Sequence, residues 1–459
     1  MARGDLSRRG FLGRTGAVGI TAAGGIWGAV GASEAWGAET TKGPQLQCDV
    51  VVAGGGPAGI GAAVGAAKAG AKVILLEQYG FLGGMATAGL VNPFMSWHAG
   101  KKPLIGGVFQ EMLDRMKALG GFGLPGMPGS AFDPELFKLA ADQIMLDHGV
   151  KLVFHAFLCG AELQGTSIRK VLFYSKSGLG SVEAKIFVDG TGDADLAAFS
   201  GAPWEQGREE DKLVQPLTTN FNVAGVDEDR MPPGKEINRL YDQAKAEAFV
   251  NNPREDVLLF RTTRRGEIHF NTTRVIKVDS TNVLEMTGAE LEGRRQVLQM
   301  FNFLKERVPG FEKSYIIAIG AQIGVRESRR IVGDYVMTDE DILNARKFED
   351  GIALNNYPID IHNPAGAGTV LKYVPKGDFY SVPYRALIPR KIENLLVGGR
   401  PISTTHVAHS STRVMPIAVA TGHACGVAAA LAAAGDGAVR HVDAGKLRHM
   451  LADQKAILG

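Results

Sequence analysis

The chain is 459 residues long, enough for two or three domains that each bury a full core. Fifty basic against 48 acidic side chains leave a net charge of +2, so nothing in the charge balance calls for nucleic acid or an anionic membrane as partner. Sixty glycines against 20 prolines favour an α/β protein rich in tight turns. The three cysteines, Cys48, Cys159 and Cys425, are too scattered for a zinc or dithiol site, so no metal is expected; a disulfide between two of them stays open.

The amino terminus reads as an address rather than as fold. Arg8 and Arg9 lie between Ser7 and Phe11-Leu12, ahead of a stretch from Gly16 to Ala32 that carries no acidic residue. Basic, then mildly apolar, then small residues is the order of a signal peptide, and the paired arginines resemble the twin-arginine type. The signal is expected over residues 1–38, with Ser33 and Ala35, or Ala35 and Gly37, as the small pair at the cleavage site. Its apolar part, about 17 residues, falls short of the roughly 20 needed to span a bilayer, so no stable span is expected in the mature chain. The expected partner is the twin-arginine export machinery, which moves folded proteins, and the expected location is the periplasm or another extracytoplasmic space.

Asp49 to Ala53 (DVVVA) is a buried-strand run, followed by Gly54, Gly55, Gly56, Pro57, Ala58 and Gly59 and an Ala/Gly-rich helix to Lys68. In this G-x-G-x-x-G, Gly54 makes the turn, Gly56 lets backbone N–H groups approach a pyrophosphate, and Gly59 lets helix and strand pack closely. A second strand, Lys72 to Leu76, ends in Glu77 and Gln78, where a carboxylate accepts hydrogen bonds from an adenosine ribose. FAD and NAD share this unit. The choice falls on FAD because a second glycine pair follows, Gly83-Gly84 with Met85 and Thr87, similar to the extension seen in glutathione-reductase-type FAD domains.

Further on, Ser167 to Tyr174 and Val182 to Val188 read as strands of a β-meander, leading into DGTGDADLA with Thr191, Gly192 and Asp193. Asp193 is either a cofactor-side residue or the N-cap of a helix over Ala194 to Phe199. Residues 205–312 are more charged, with strand-like runs (Leu217 to Val223, Glu267 to Val278) and an amphipathic helix from Ala289 to Arg307. They are expected to form an inserted α+β substrate or cap domain; the alternative is that they extend the cofactor domain. In GVRESRR, at least two of Arg326, Arg329 and Arg330 are expected to belong to a structural ion-pair cluster with Glu327 and Asp334, the alternative being a part in the chemistry. His362, beside Asp360 in a loop bounded by Pro358 and Pro364, is the first candidate for a base titrating near neutrality, the plain alternative being a surface histidine. From Ile392 come a buried strand, Gly398-Gly399, Arg400, a polar loop with the second-choice histidines His406 and His409, and a small-residue helix that starts near Val414 to Pro416, with Arg413 at its mouth and Met415 expected against the cofactor. Arg413 is placed to bind a substrate carboxylate or the flavin N1–C2 edge.

Taken together, GGGPAGIGAA at Gly54, LGGMATAG at Leu82, VDGTGDADLA at Val188, GVRESRRIVGDYVMT at Gly324, YPIDIH at Tyr357, and NLLVGGRPIS with STRVMP near the end resemble the FAD-dependent oxidoreductase family of glutathione-reductase-type flavoproteins. The resemblance runs from Asp49 to about Leu431. It implies an α/β fold: a Rossmann-type FAD domain with a β-meander, split over residues 48–204 and 313–435, the inserted domain between, and a helical tail over 436–459. It also implies hydride transfer between a small organic substrate and flavin N5, with an electron acceptor that the sequence does not name. Many relatives carry an acid after the late glycines where this chain has Arg400, so the ribityl contact is expected to be made differently. Two other readings stay in play. One is fumarate-reductase-like reduction of a C=C bond, which arginines positioned for two carboxylates would favour; the other is a non-catalytic flavin-binding or electron-relay role. The absence of a second complete G-x-G-x-x-G counts against a built-in NAD domain.

Overall fold

Val50–Ala53, apolar at every position, forms the middle of a five-stranded parallel sheet in the computed structural model, which describes residues 42–124 and 129–459. The expected export signal lies outside the described residues. The sheet runs in the order Leu395–Val397, Ile186–Asp189, Val50–Ala53, Val73–Leu76, Lys151–Val153, every neighbouring pair parallel. Strands covered on both faces lose the polar alternation of a half-exposed sheet, and this is why the inner ones read as continuous Val, Ile and Leu.

The opening helix, Pro57–Lys68, crosses the closing helix, Met415–Ala434, at backbone contact. Glycines permit the approach: a Cβ on Gly422 would collide with the Ala58 carbonyl, and one on Gly426 with the Ala62 carbonyl. The closing helix is apolar all round, as a helix enclosed by protein should be. Among the described residues it is the one helix long and apolar enough to cross a membrane, and 78% of that window is buried inside the fold.

Phe157–Gln164, Ser167–Ser175 and Gly178–Glu183 form the antiparallel meander, with Lys42–Gln47 added in parallel at its edge. The stretch expected as one strand, Val182 to Val188, is two. The meander ends at Glu183, the amides of Lys185 and Ile186 both turn to the Asp49 carbonyl, and Ile186–Asp189 continues in the parallel sheet. The three cysteines are free thiols.

Residues between these regions build a separate core. Leu259–Arg261, Ile268–Phe270, Phe221–Ala224 and Tyr315–Ile319 pair antiparallel in that order, and Phe221, Phe270, Met300, Phe303 and Phe311 pack with the helices Gly234–Ala246 and Val283–Arg307. The sheet takes in Tyr315–Ile319, past the boundary expected at residue 312. The expected strand runs are shorter, since Leu217 and Thr218 make only single bridges, to Val275 and Gly324. The long helix begins six residues before the expected Ala289. Asn282 caps it through the amides of Leu284 and Glu285, and Val283 and Leu284 are 76% and 79% exposed, so no buried stripe marks its start.

Two late elements correct the sequence reading. The Pro-bounded segment around His362 is not a loop but the strand Ile359–His362, paired with Thr369–Lys372. The polar stretch after Arg400 contains a helix, His406–Thr412, whose N-cap Thr405 accepts the amide of Ala408. The tail helix, Ala444–Asp453, is followed by Gln454, whose side chain meets His423 Nε2 of the closing helix at 2.8 Å.

Candidate active site

The strand ends of the parallel sheet, the N-terminus of the opening helix and the N-terminus of the closing helix face one cavity of about 390 Å³. The glycine turn shapes its floor. Gly54 sits at φ +92°, and a Cβ there would meet the Gly190 carbonyl at 2.6 Å; a Cβ on Gly59 would collide with the Gly54 carbonyl. Gly56 differs, because a Cβ there would find its nearest neighbour 3.8 Å away, so its open face looks into the cavity. Gly84 packs on Gly56, and the Gly83 amide bonds the Gly55 carbonyl at 2.8 Å, which joins the second glycine pair to the first turn.

Of the residues expected to bind the cofactor, all but Gly59 and Gly83 line this cavity. Gly54, Gly56, Pro57 and Ala58 come from the first turn, Glu77 and Gln78 from the second strand end, and Gly84 and Met85 from the second glycine pair. Thr191, Gly192 and Asp193 come from the later turn, and Gly399, Arg400, Arg413 and Met415 from the closing segment. Gly59 and Gly83 serve the packing beneath. The donor set fits a dinucleotide: an unblocked glycine at a helix N-terminus for phosphate, and a carboxylate one strand away for a ribose.

Glu77 is 5% exposed and already holds two amides, Gly55 at 2.6 Å and Tyr79 at 2.9 Å. Burial raises its carboxyl above the usual range while those amides pull it back. Asp193 is no helix cap: the N-cap of Asp195–Phe199 is Ala194, and Thr191 Oγ1 and Asp189 Oδ2 accept the amides of Asp195 and Ala197 instead. Its Oδ1 accepts from Ser328 at 2.6 Å and from Arg400 Nη2 at 2.7 Å. Arg400 also donates to the carbonyls of Gly192 (2.7 Å) and Val325 (2.8 Å), so the arginine found where relatives carry an acid binds the later turn to the closing segment. Asp195, paired with Arg329 at 2.8 Å, is pushed up to about 6 by burial and by Asp193 and Asp189.

Residues 49–451 match the model of a family described as FAD dependent oxidoreductase. The chain belongs to that family. Its cofactor is FAD, and it is an FAD-dependent oxidoreductase. No curated protein matches it by sequence. Solved structures similar to it include a geranylgeranyl bacteriochlorophyll reductase-like protein from Thermoplasma acidophilum (12% identity, 90% of this chain and 83% of that one, TM-score 0.41). Others are the flavin-dependent brominase Bmp2 (13%, 89% and 83%, 0.44) and p-nitrophenol 4-monooxygenase PnpA from Pseudomonas putida DLL-E4 (13%, 89% and 81%, 0.39).

In this oxidoreductase the four candidate catalytic residues separate. Arg413 lines this cavity and reaches Asp360 Oδ2 and the Asp360 carbonyl at 3.4 Å each, its Nε having no partner among the described residues. Asp360 also accepts from Tyr357 Oη at 2.7 Å and faces His362 Nε2 at 3.6 Å. His362 is buried, not on the surface. Its Nδ1 lies 3.2 Å from Arg274 Nη2; a guanidinium only donates, so Nδ1 accepts and Nε2 carries the proton. Burial, then the charges of Arg326, Arg413, Arg254 and Arg274, push the pKa of this imidazole well below the ordinary histidine value and favour its neutral form, against the titration near neutrality expected from the sequence. His406 pairs with Glu327 at 2.8 Å. His409 is 0% exposed inside the short helix and is kept neutral by burial.

The expected arginine cluster is split. Arg330 bonds Glu327 and the carbonyls of Thr404 (3.1 Å) and Gly207 (3.0 Å), whereas Arg329 pairs with Asp195. Asp334 pairs with Arg440 instead. Arg326 pairs with no acid among the described residues. Sequence reasoning missed the rim of the cavity, where Tyr79 bonds Gln322 and where Phe157, Thr281, Val283 and Met286 also stand. It missed Asp360 as the partner of Arg413, and Tyr357 as a donor to Asp360, although YPIDIH contains both.

Proposed function

We propose that this chain is a glutathione-reductase-type flavoprotein that oxidises a small organic substrate and passes the electrons to a separate acceptor. The observation that carries this reading is the single cavity on which the two early glycine pairs, the later Thr-Gly turn and the closing helix all open. When bound, FAD supplies hydride acceptance at N5. The chain supplies the rest. Gly56 and the first turn of the opening helix would hold the pyrophosphate, Glu77 the ribose, and the N-terminus of the closing helix with Arg413 the electron-rich edge of the flavin. The Asp360 carboxylate would take the proton that the oxidised substrate loses, with Tyr357 and the Nε2–H of His362 turned toward it to steady the exchange. The separate core around Phe221 and Phe303 is the cap that covers the substrate.

Reduction of an activated C=C bond in a carboxylate is the second reading, favoured by the gathering of Arg326 and Arg413 near Asp360. Anaerobic mixing of holoprotein with alcohols, sugars, amines and carboxylic acids decides between them. Bleaching of the oxidised flavin band is expected with one class. No bleaching, together with reoxidation of the reduced protein by an enoate, would turn the assignment to the second reading.

The protein is further proposed to reach the periplasm folded, through the twin-arginine route. Replacing Arg8 and Arg9 by Lys keeps the charge but not the guanidinium, and is expected to leave flavinated protein in the cytoplasm. Fractionation of cells expressing the double variant checks this, and unchanged export would exclude the route.

A further inference from the structure

Nearly every arginine in the described residues has a carboxylate within 4 Å. The exceptions are Arg390, which is exposed, Arg448, which bonds the Gly351 carbonyl, and Arg326. Arg326 is held by three neutral groups, the Pro216 carbonyl at 2.8 Å, Thr218 Oγ1, and Asn271 Oδ1 at 3.3 Å. It is also surrounded by like charge. Arg413, Arg254 and Arg274 all act on it, with Asp360 as the opposing acid, and they lower its pKa in addition to the effect of burial.

The formal charges in this group can be counted. Arg254 is met by Asp256 at 2.7 Å, Arg274 by Glu255 at 3.1 Å, and Arg413 by Asp360 at 3.4 Å, while His362 is neutral. One positive charge, that of Arg326, is left over. An uncompensated guanidinium held out of bulk water is costly, and a mobile counter-ion from a substrate is the economical remedy. Arg326 and Arg413 both keep part of their surface open, and Arg413 is also a wall of the FAD cavity, so an anion taken up here lies next to the flavin.

We propose that the substrate of this oxidoreductase carries a single carboxylate, bound between Arg326 and Arg413 beside the wall of the FAD cavity that Arg413 forms. The proposal rests on the flavoenzyme reading above. The planar fork of a guanidinium matches a carboxylate with two parallel N–H···O bonds. One leftover charge matches a monoanion, and disfavours a dicarboxylate or a phosphate dianion, whose second charge would meet Asp360. Asn271 and Thr218, which hold Arg326 through neutral atoms, orient it without satisfying it.

The test titrates propionate, malonate, inorganic phosphate and neutral propionamide into holoprotein at constant ionic strength, reading heat and the flavin difference spectrum, with flavin content measured on the same sample. Propionate is expected to bind and perturb the flavin, malonate and phosphate to bind more weakly, and propionamide not to bind. Arg326→Gln should weaken propionate about 10- to 100-fold at unchanged flavin content, with Arg326→Lys recovering part of the loss. Wild-type propionate affinity in the Gln variant overturns the proposal. Tighter binding of malonate or phosphate does so too, as does a shift of flavin potential in the variant without a change in propionate affinity. Purified chain that carries no flavin and cannot be loaded with it overturns the cofactor assignment instead, and the heat of propionate binding still reads the anion site.

Discussion

Gly56→Val is expected to give a folded chain that does not retain FAD. The backbone at Gly56 has φ −72° and ψ −175°, a conformation open to any L-residue, so no glycine-only geometry is lost. A Cβ there would have no neighbour nearer than 3.8 Å, so the fold around it is undisturbed. The valine methyls would then occupy the cavity at the N-terminus of the opening helix, where phosphate has to meet free N–H groups. Losing two charge-assisted hydrogen bonds, each worth about 1.5–3 kcal/mol, weakens binding by more than about 100-fold. Gly59→Val is the matched contrast. Its Cβ would collide with the Gly54 carbonyl, backbone against backbone, and the expected result is loss of the fold itself. Flavin-to-protein absorbance and thermal unfolding, measured on both variants, separate the two outcomes. A Gly56→Val protein that purifies yellow at wild-type flavin content would show that the pyrophosphate does not lie on this turn.

The same contrast explains what could be read from sequence. Gly54, Gly56 and Gly59 act within one turn, and their spacing alone specifies strand, turn and helix, so the floor of the cavity was legible. The clamp between Arg400 and Asp193 was not, because its two halves are 207 residues apart in the chain and a local pattern carries no information on their meeting. The start of the long helix was hidden for a different reason. Val283 and Leu284 point into solvent, and a helix turn with no buried face leaves no periodic signature. His362 was misplaced because Pro358 and Pro364 bound its segment and read as loop punctuation. Its partner strand, Thr369–Lys372, is exposed along its whole length and gives no alternation to betray the hairpin. With the pairing missed, the burial of the histidine was missed, and so was the sign of its pKa shift.

That sign governs the last expected result. A histidine titrating near its ordinary value would place a step in the rate–pH profile of flavin reduction between about pH 6 and 7. In this structure burial comes first and four arginines second in favouring the neutral imidazole, so the folded-state pKa is depressed and protonation is displaced to more acidic pH. Flavin reduction is therefore expected to show no His362 inflection from about pH 6 to pH 8. Activity should fall only on further acidification, when the imidazole becomes charged and Nδ1 turns a proton toward Arg274, a donor facing a donor at 3.2 Å. His362→Ala removes the Nδ1 acceptor of Arg274 and leaves Asp360 without the group facing it at 3.6 Å. If His362 acts on the substrate proton, the expected cost is about 10²- to 10⁴-fold in the rate of flavin reduction, with FAD content near wild type because the residue is not among those lining the cavity at the glycine turns. Arg413→Ala should behave differently, since that residue does line it: loss of a contact with the flavin edge would lower the reduction potential, whereas loss of a contact with substrate alone would weaken substrate binding at constant potential. Rapid-reaction kinetics across pH, with potentiometry on both variants, read these outcomes separately. A His362→Ala enzyme that reduces its flavin at the wild-type rate would remove the residue from the chemistry and pass the role to His406, whose imidazole is already oriented by Glu327 at 2.8 Å.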